Sequence, residues 1–239
     1  MLTIGLIGGM SGESTALYYR LANELVRERL GGLHSARILM SSVDFAEVEQ
    51  LQASGDWDRA GTLLAAEAGR LEKAGADFLV LCTNTMHKVA AAIEDGVKIP
   101  LLHLGDVTAA AVLADGLDAV GLLGTGFTMS QDFYRGRLES HGLRVLVPSE
   151  EDQALVHRVI YDELCLGVVR DESRQAYLEV VDRLVADGAG GVILGCTEIE
   201  LLIGPDDLAV PSFPTTRLHV EAAVDRALDG GARERTRAT

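Results

Sequence analysis

Cys82 and Cys196 each end a short apolar run, Phe78-Leu79-Val80-Leu81 and Val192-Ile193-Leu194-Gly195, and each is followed at once by polar residues, Thr83-Asn84-Thr85 and Thr197-Glu198. A lone cysteine in an apolar run is ordinarily a small buried hydrophobe. Two of them in equivalent settings ask for another reason. A strand followed by a helix places the intervening residue at the carboxyl edge of a sheet, where open α/β folds bind ligands. A helix N-terminus there favours a thiolate and can bind a substrate carboxylate. Two like thiols suit inversion of a stereocentre by proton transfer. A base must act on one face of the carbon and an acid on the other, and the roles exchange for the opposite enantiomer. With each sulfur near contact distance of the reacting carbon, the pair stands about 7 Å apart with substrate bound. Such a pair rests as one thiolate and one thiol and titrates as a coupled system. Cys165, inside the helical run from Tyr161 to Leu166, lacks this setting and reads as structural.

Other residues around these motifs have defined chemical options. Gly8-Gly9-Met10-Ser11 and Gly124-Thr125-Gly126 are glycine turns after strands, and their N–H groups can cradle an anion. Neither has the spacing of a dinucleotide fingerprint or a P-loop. His87 either hydrogen-bonds to substrate and tunes a thiol, or is a partly exposed helical histidine without a role. Glu198 either accepts from a substrate ammonium and orients a base, or stabilises a helix N-terminus. His103, His157 and His219 share no interpretable spacing. Three cysteines, an odd count without a CxxC pair or Cys/His ligand spacing, argue against a disulfide scaffold and against structural zinc. No metal and no cofactor is expected.

The elements that must position these residues follow an α/β pattern, with short apolar runs alternating with longer amphipathic stretches. Strands are expected near residues 2–8, 37–43, 77–82, 99–103, 119–124, 143–147, 191–195 and 209–213, with helices between. The clearest helix runs from Ser14 to Leu30 with an apolar stripe of Leu17, Leu21, Leu25 and Leu30. The polar tail from Gly230 to Thr239 is expected to fray. An internal repeat organises the whole. Gly5-Leu6-Ile7-Gly8 recurs as Gly121-Leu122-Leu123-Gly124, and Met10-Ser11 as Met129-Ser130. Tyr18-Tyr19-Arg20 recurs as Phe133-Tyr134-Arg135, the Cys82 motif as the Cys196 motif, and Ile99-Pro100 as Val210-Pro211. The repeat predicts two pseudo-symmetric lobes, each a mainly parallel sheet flanked by helices, with the active site between them. Residues 1–100 plus 214–239 form the lobe carrying Cys82 and residues 101–213 the lobe carrying Cys196. The last helix is expected to pack on the first lobe.

Composition narrows the class. With 239 residues and 48% hydrophobic content the chain can bury its cores without staples. A formal net charge of −15 disfavours nucleic acid and anionic membrane surfaces as partners. Met1 to Met10 is apolar, but no basic segment precedes it and glycines interrupt it. It therefore reads as neither signal peptide nor transmembrane helix, and a cytoplasmic location is expected.

Taken together, Gly5-Leu6-Ile7-Gly8-Gly9-Met10-Ser11, the run from Leu30 to Ala36, Cys82-Thr83-Asn84-Thr85-Met86-His87-Lys88, Leu123-Gly124-Thr125 with Thr128-Met129, and Leu194-Gly195-Cys196-Thr197-Glu198-Ile199 resemble the aspartate/glutamate racemase family, and most nearly its branch of broader specificity. The resemblance implies a racemase independent of pyridoxal phosphate that interconverts L- and D-amino acids, aspartate/glutamate or broader, with Cys82 and Cys196 as its acid/base pair. It implies that Thr83, Asn84 and Thr85 hold the substrate carboxylate, that Met10, Gln52 and Thr125 line the site, and that the chain forms a homodimer. The sequence departs from the family pattern at Pro214-Thr215-Thr216, where an aspartate often precedes the two threonines. It departs again at Gly12, where many relatives carry tryptophan. Val168 stands where some relatives place a base for a side-chain carboxylate, with Arg170 as the nearby substitute.

The alternatives are hydantoin racemisation, maleate-type isomerisation or arylmalonate decarboxylation on the same scaffold, and a two-lobed amino-acid-binding protein without catalysis. Decarboxylating relatives need one cysteine, so the pair counts against them. A binding protein needs only helix N-termini and hydroxyls and tolerates loss of both thiols. A redox pair would bridge on mild oxidation.

Overall fold

The computed structural model describes residues 1–237, with side chains through Gly230. The chain divides into two compact units, Met1–His103 together with the segment from His219, and Leu104–Leu218. Each is built on a four-stranded sheet in which every neighbouring pair is parallel.

In the first unit β1 (Ile4–Gly8), α1 (Gly12–Leu30), β2 (Ile38–Ser42), α2 (Phe45–Ser54), α3 (Trp57–Ala74), β3 (Phe78–Leu81), α4 (Ala90–Asp95) and β4 (Leu101–Leu102) follow in order. The second contains α5 (Leu104–Ala114), β5 (Ala119–Gly124), α6 (Gly126–Ser130), α7 (Asp132–Ser140), β6 (Arg144–Leu146), α8 (Glu150–Asp162), α9 (Asp171–Ala186), β7 (Val192–Gly195) and β8 (Ser212–Pro214). Helix α10 (Thr215–Arg237) begins in the second unit and continues in the first. Strand order is β2-β1-β3-β4 in one sheet and β6-β5-β7-β8 in the other. The sequence repeat is thus a repeat of topology, as expected.

Both faces of each sheet are covered, which is why the central strands read as continuous apolar runs. Alternate residues serve opposite faces. Ile7, Leu79 and Leu81 pack with Val48, Leu64 and Ala68 of α2 and α3. Leu6, Val80 and Cys82 pack with Tyr18, Ala22 and Val26 of α1 and with Val220, Val224 and Ala227 of α10. In the second unit Leu123, Val192 and Leu194 meet Val156, Ile160 and Tyr177 of α8 and α9. Val120, Leu122 and Ile193 meet Leu104, Ala109, Tyr134 and Leu138 of α5 and α7. Each valine, leucine or isoleucine among these, fully buried, contributes about 1.5–3 kcal/mol. Among the described residues no helix is long and apolar enough to cross a membrane.

Three local expectations are corrected. The buried face of α1 is Ser14, Thr15, Tyr18, Ala22, Leu25 and Val26, while Leu17 and Leu21 are half-buried and Leu30 is exposed. Small residues let this helix approach β1 closely: a Cβ on Gly8 would lie 2.3 Å from Thr15 Cγ2. Strands β4 and β8 begin only at Leu101 and Ser212. Pro100 and Pro211, which have no N–H to give a ladder, contribute only their carbonyls, to Leu79 and Val192 at 2.9 Å. Helix α10 runs to Arg237, where the sequence predicts a frayed tail from Gly230. Ala238 and Thr239 lie outside the described residues.

Candidate active site

Cys82 follows β3 directly, and its N–H donates to Ile7 O at 2.9 Å. Its side chain is wholly buried and its thiol reaches only the Val80 carbonyl, at 3.9 Å. Burial pushes that thiol well above the usual cysteine range, because a thiolate in apolar surroundings loses its hydration. Cys196 follows β7 in the same way but is partly exposed. Its thiol donates to Glu198 Oε2 at 2.9 Å. Burial first, and then the negative charge of Glu198, raise it well above the usual value.

Both shifts run opposite to the thiolate stabilisation expected at a helix N-terminus, and local structure gives the reason. The residues after the cysteines form five-residue 3₁₀ turns, Thr85–Val89 and Thr197–Leu201, and burial outweighs the partial positive charge such short turns supply. Both shifts favour the thiol over the thiolate.

Around Cys82 the predicted residues gather in the first unit. The loop is closed by His87, whose Nδ1 lies 2.7 Å from Thr83 O. Accepting is all a carbonyl can do, so Nδ1 carries the proton. His87 is buried, not the partly exposed helical histidine considered from sequence. Its ring meets those of His103 and His219 at centroid distances of 4.7 and 5.9 Å. Burial and then these neighbours keep it neutral. His219, also buried, spans Leu102 O at 2.8 Å and the Tyr18 hydroxyl at 3.0 Å. Asn84 and Thr85 are buried within the same turn. Gln52 donates to Met86 Sδ at 2.9 Å, and Met10 belongs to the same apolar cluster as Met86. The structure thus brings Met10, Gln52, Thr83, Asn84, Thr85 and His87 into the unit that holds Cys82.

Thr125, Thr197 and Glu198 belong to the unit of Cys196. Thr125 follows β5 and caps α6, its Oγ1 accepting from Thr128 N at 3.4 Å. Thr197 Oγ1 and Thr216 Oγ1 lie 2.7 Å apart, while Thr215 Oγ1 donates to Leu194 O at 3.0 Å. The Thr215-Thr216 pair thereby ties the start of α10 to both sides of Cys196, a role not assigned from sequence. Glu200, also unassigned, has a buried Oε1 without a hydrogen-bond partner among the described residues. Its pKa is raised to about 7 by burial, with Arg217 opposing and Glu198 adding to the shift. Arg170 pairs with Glu163 at 3.7 Å, and Ser173 donates to the same carboxylate at 2.6 Å. Cys165 is exposed and its thiol is raised to about 11 by burial and by Glu198, which places it near the Cys196 turn and not in the core. Among the described residues no group of His, Cys, Asp and Glu is arranged to hold a metal ion.

The sequence profile of a family described as Asp/Glu/Hydantoin racemase matches residues 7–223. A Yersinia pestis protein crystallised as a candidate Asp/Glu racemase is 54% identical, with 95% of this chain and all of that one covered and a TM-score of 0.92. An aspartate racemase homologue from Pyrococcus horikoshii is 33% identical, with 95% and 99% covered and a TM-score of 0.85. A broad specificity amino-acid racemase of Bacillus subtilis is 23% identical over 164 residues, 67% of this chain and 69% of that protein.

Proposed function

Because the chain belongs to the Asp/Glu/Hydantoin racemase family, we propose that it interconverts the enantiomers of a free amino acid, without a cofactor, by moving the α-proton between Cys82 and Cys196. The observation that carries this reading is the equivalence of the two thiols. Each stands one residue beyond the third strand, in sequence, of a sheet with the same strand order.

A base must form first, since both shifts favour the thiol. Glu198 is placed for that task at Cys196: the S–H bond breaks as the proton passes to Oε2, leaving a thiolate beside a carboxylic acid. The transfer moves one negative charge from the carboxylate to sulfur, and an incoming ammonium group beside the sulfur stabilises it there. The thiolate takes the α-proton, the other cysteine donates its own to the opposite face, and the carbanion is quenched with inverted configuration. For the opposite enantiomer the two sulfurs exchange roles. Thr83, Asn84 and Thr85 hold the substrate carboxylate, and Met10, Gln52, Thr125 and Thr197 line the site.

The side chain accepted is neutral or basic in preference to acidic. Arg170, the substitute cation for a side-chain carboxylate, is engaged by Glu163. The charge of Glu198 is felt at Cys165, Cys196 and Glu200, and this side of the site repels a second carboxylate. The name of the Bacillus subtilis relative, a broad specificity amino-acid racemase, supports a site that is not restricted to acidic side chains. The protein works as a homodimer, an assembly that sedimentation measures directly.

The test is loss of the α-proton in D₂O, followed by NMR and chiral analysis over a panel of L- and D-amino acids without added cofactor. Exchange with inversion that disappears in both C82S and C196S supports the mechanism. Full racemisation in either variant rules out the two-thiol route. Absence of exchange across acidic, polar and apolar amino acids moves the reading to a decarboxylase or a binding protein.

A further inference from the structure

The turns that follow β1 and β5 are held by different chemistry. After β1, the N–H of Gly9 donates to Thr15 Oγ1 at 2.8 Å, and that hydroxyl in turn donates to Ser11 O at 2.7 Å. After β5, the N–H of Gly126 donates to Nδ1 of His157, on α8, at 3.1 Å. An amide can only donate, so Nδ1 is the acceptor and the ring proton sits on Nε2. The imidazole is packed as well as bonded. A Cβ at Gly126 would meet Nδ1 at 3.5 Å and Cγ at 3.7 Å, and the ring lies against Tyr161 with centroids 4.7 Å apart at 48°. The contact crosses from α8 to the residue after Thr125, which is itself committed to the cap of α6.

We propose that His157 is a positioning residue for the site: acting through the Gly126 amide, it clamps the Thr125-Gly126 turn in the pose that meets the substrate. The assignment rests on the function proposed above, because Thr125 meets substrate only if that reading holds. It explains why a half-buried histidine with an acceptor nitrogen stands at this point of α8.

Three substitutions separate positioning from packing. H157N puts an amide oxygen where Nδ1 now lies, H157Q carries that oxygen one bond farther, and H157F keeps a ring without an acceptor. Expected are a KM within about threefold of wild type for H157N and a KM raised about tenfold for H157F and H157Q, the order that one lost hydrogen bond produces. kcat should change less than KM in all three. Wild-type KM in H157F, or equal impairment in all three, overturns the proposal. Two measurements on the wild type remain decisive if H157F fails to fold. The ¹⁵N shift of Nδ1 should be that of an unprotonated ring nitrogen, and the Gly126 amide should move when a substrate amino acid is titrated in. A protonated Nδ1 at neutral pH overturns the clamp. Wild-type protein that binds an amino acid but does not racemise it overturns the function alone, and the effect of H157N and H157F on that binding then decides the clamp. Protein that binds no amino acid overturns both.

Discussion

Cys196 and Glu198 are joined by a hydrogen bond of 2.9 Å in which the thiol donates to Oε2, whereas the thiol of Cys82 meets only a backbone carbonyl at 3.9 Å. The two halves share a topology but not the surroundings of their sulfurs. The carboxylate that can accept the Cys196 proton is also the charge that holds that proton on sulfur, so its removal has two opposite effects. In E198Q, kcat is expected to fall about 100-fold, the low end of what a general base contributes. Alkylation of Cys196 at pH 8 is expected to quicken, because the repelling charge has gone. Steady-state kinetics with peptide mapping after iodoacetamide reads both, and a kcat within twofold of wild type removes Glu198 from the mechanism.

The three thiols should react in order of access, because alkylation needs an exposed thiolate. Cys165 is exposed, Cys196 partly so and Cys82 buried, which predicts labelling in that sequence in a mass-spectrometric time course. C165S is expected to retain wild-type racemisation. Protection of Cys82 and Cys196 by a substrate amino acid, with Cys165 unprotected, checks the site assignment independently.

Glu200 keeps its proton in the folded protein up to about pH 7, whereas an unfolded glutamate ionises near 4.3. Its contribution to stability therefore falls as pH rises from about 4.3 through 7, where the unfolded chain has released a proton that the native one retains. E200Q should match wild type near pH 4 and be more stable at pH 8 by about 1–3 kcal/mol. Urea melts at the two pH values measure the difference. An equal effect at both places the carboxyl in water.

His219 titrates in the other direction. Burial, with the nearby His103 adding to the effect and the Leu102 carbonyl opposing it, holds its pKa down to about 4 against about 6.5 in an unfolded chain. The native state thus binds fewer protons, and the stability it contributes is lost as pH falls from about 6.5 toward 4. The melting temperature should drop across that window in wild type and drop less in H219Q, which at pH 7 loses about 1–3 kcal/mol through the loss of the imidazole's hydrogen bonds to the Tyr18 hydroxyl and the Leu102 carbonyl.

Much of this architecture is written in local pattern. The apolar runs at 4–8, 78–81, 119–124 and 192–195 are buried strands, since a sheet covered on both faces requires apolar side chains on both. The paired motifs put both cysteines at strand ends. What could not be read depends on contacts distant in sequence. His157 meets Gly126 across 31 positions, and Tyr18 meets His219 across 201, with no periodicity to announce either. Of the predicted leucine stripe of α1 only Leu25 is buried, because the helix lays small residues, Ser14, Thr15 and Ala22, against the sheet. The acidity of each thiol is illegible for a similar reason. Helix-like sequence after a cysteine does not distinguish an α-helix from a 3₁₀ turn, nor does it show how completely the fold buries the thiol.

Helix α10 fills its place last. Val220, Ala223, Val224 and Ala227 complete the cluster around Ile4, Leu6 and Tyr18, and Leu2 N donates to Ala227 O at 2.8 Å. During synthesis the stretch from Leu104 to Leu218 can therefore close its own core while the earlier residues, though made first, wait for a helix still on the ribosome. The face of the first sheet that meets α1 is therefore expected to close after the second unit, and a nascent chain stalled before residue 220 has emerged should protect β5 and β7 from proteolysis while leaving β1 and α1 open to it.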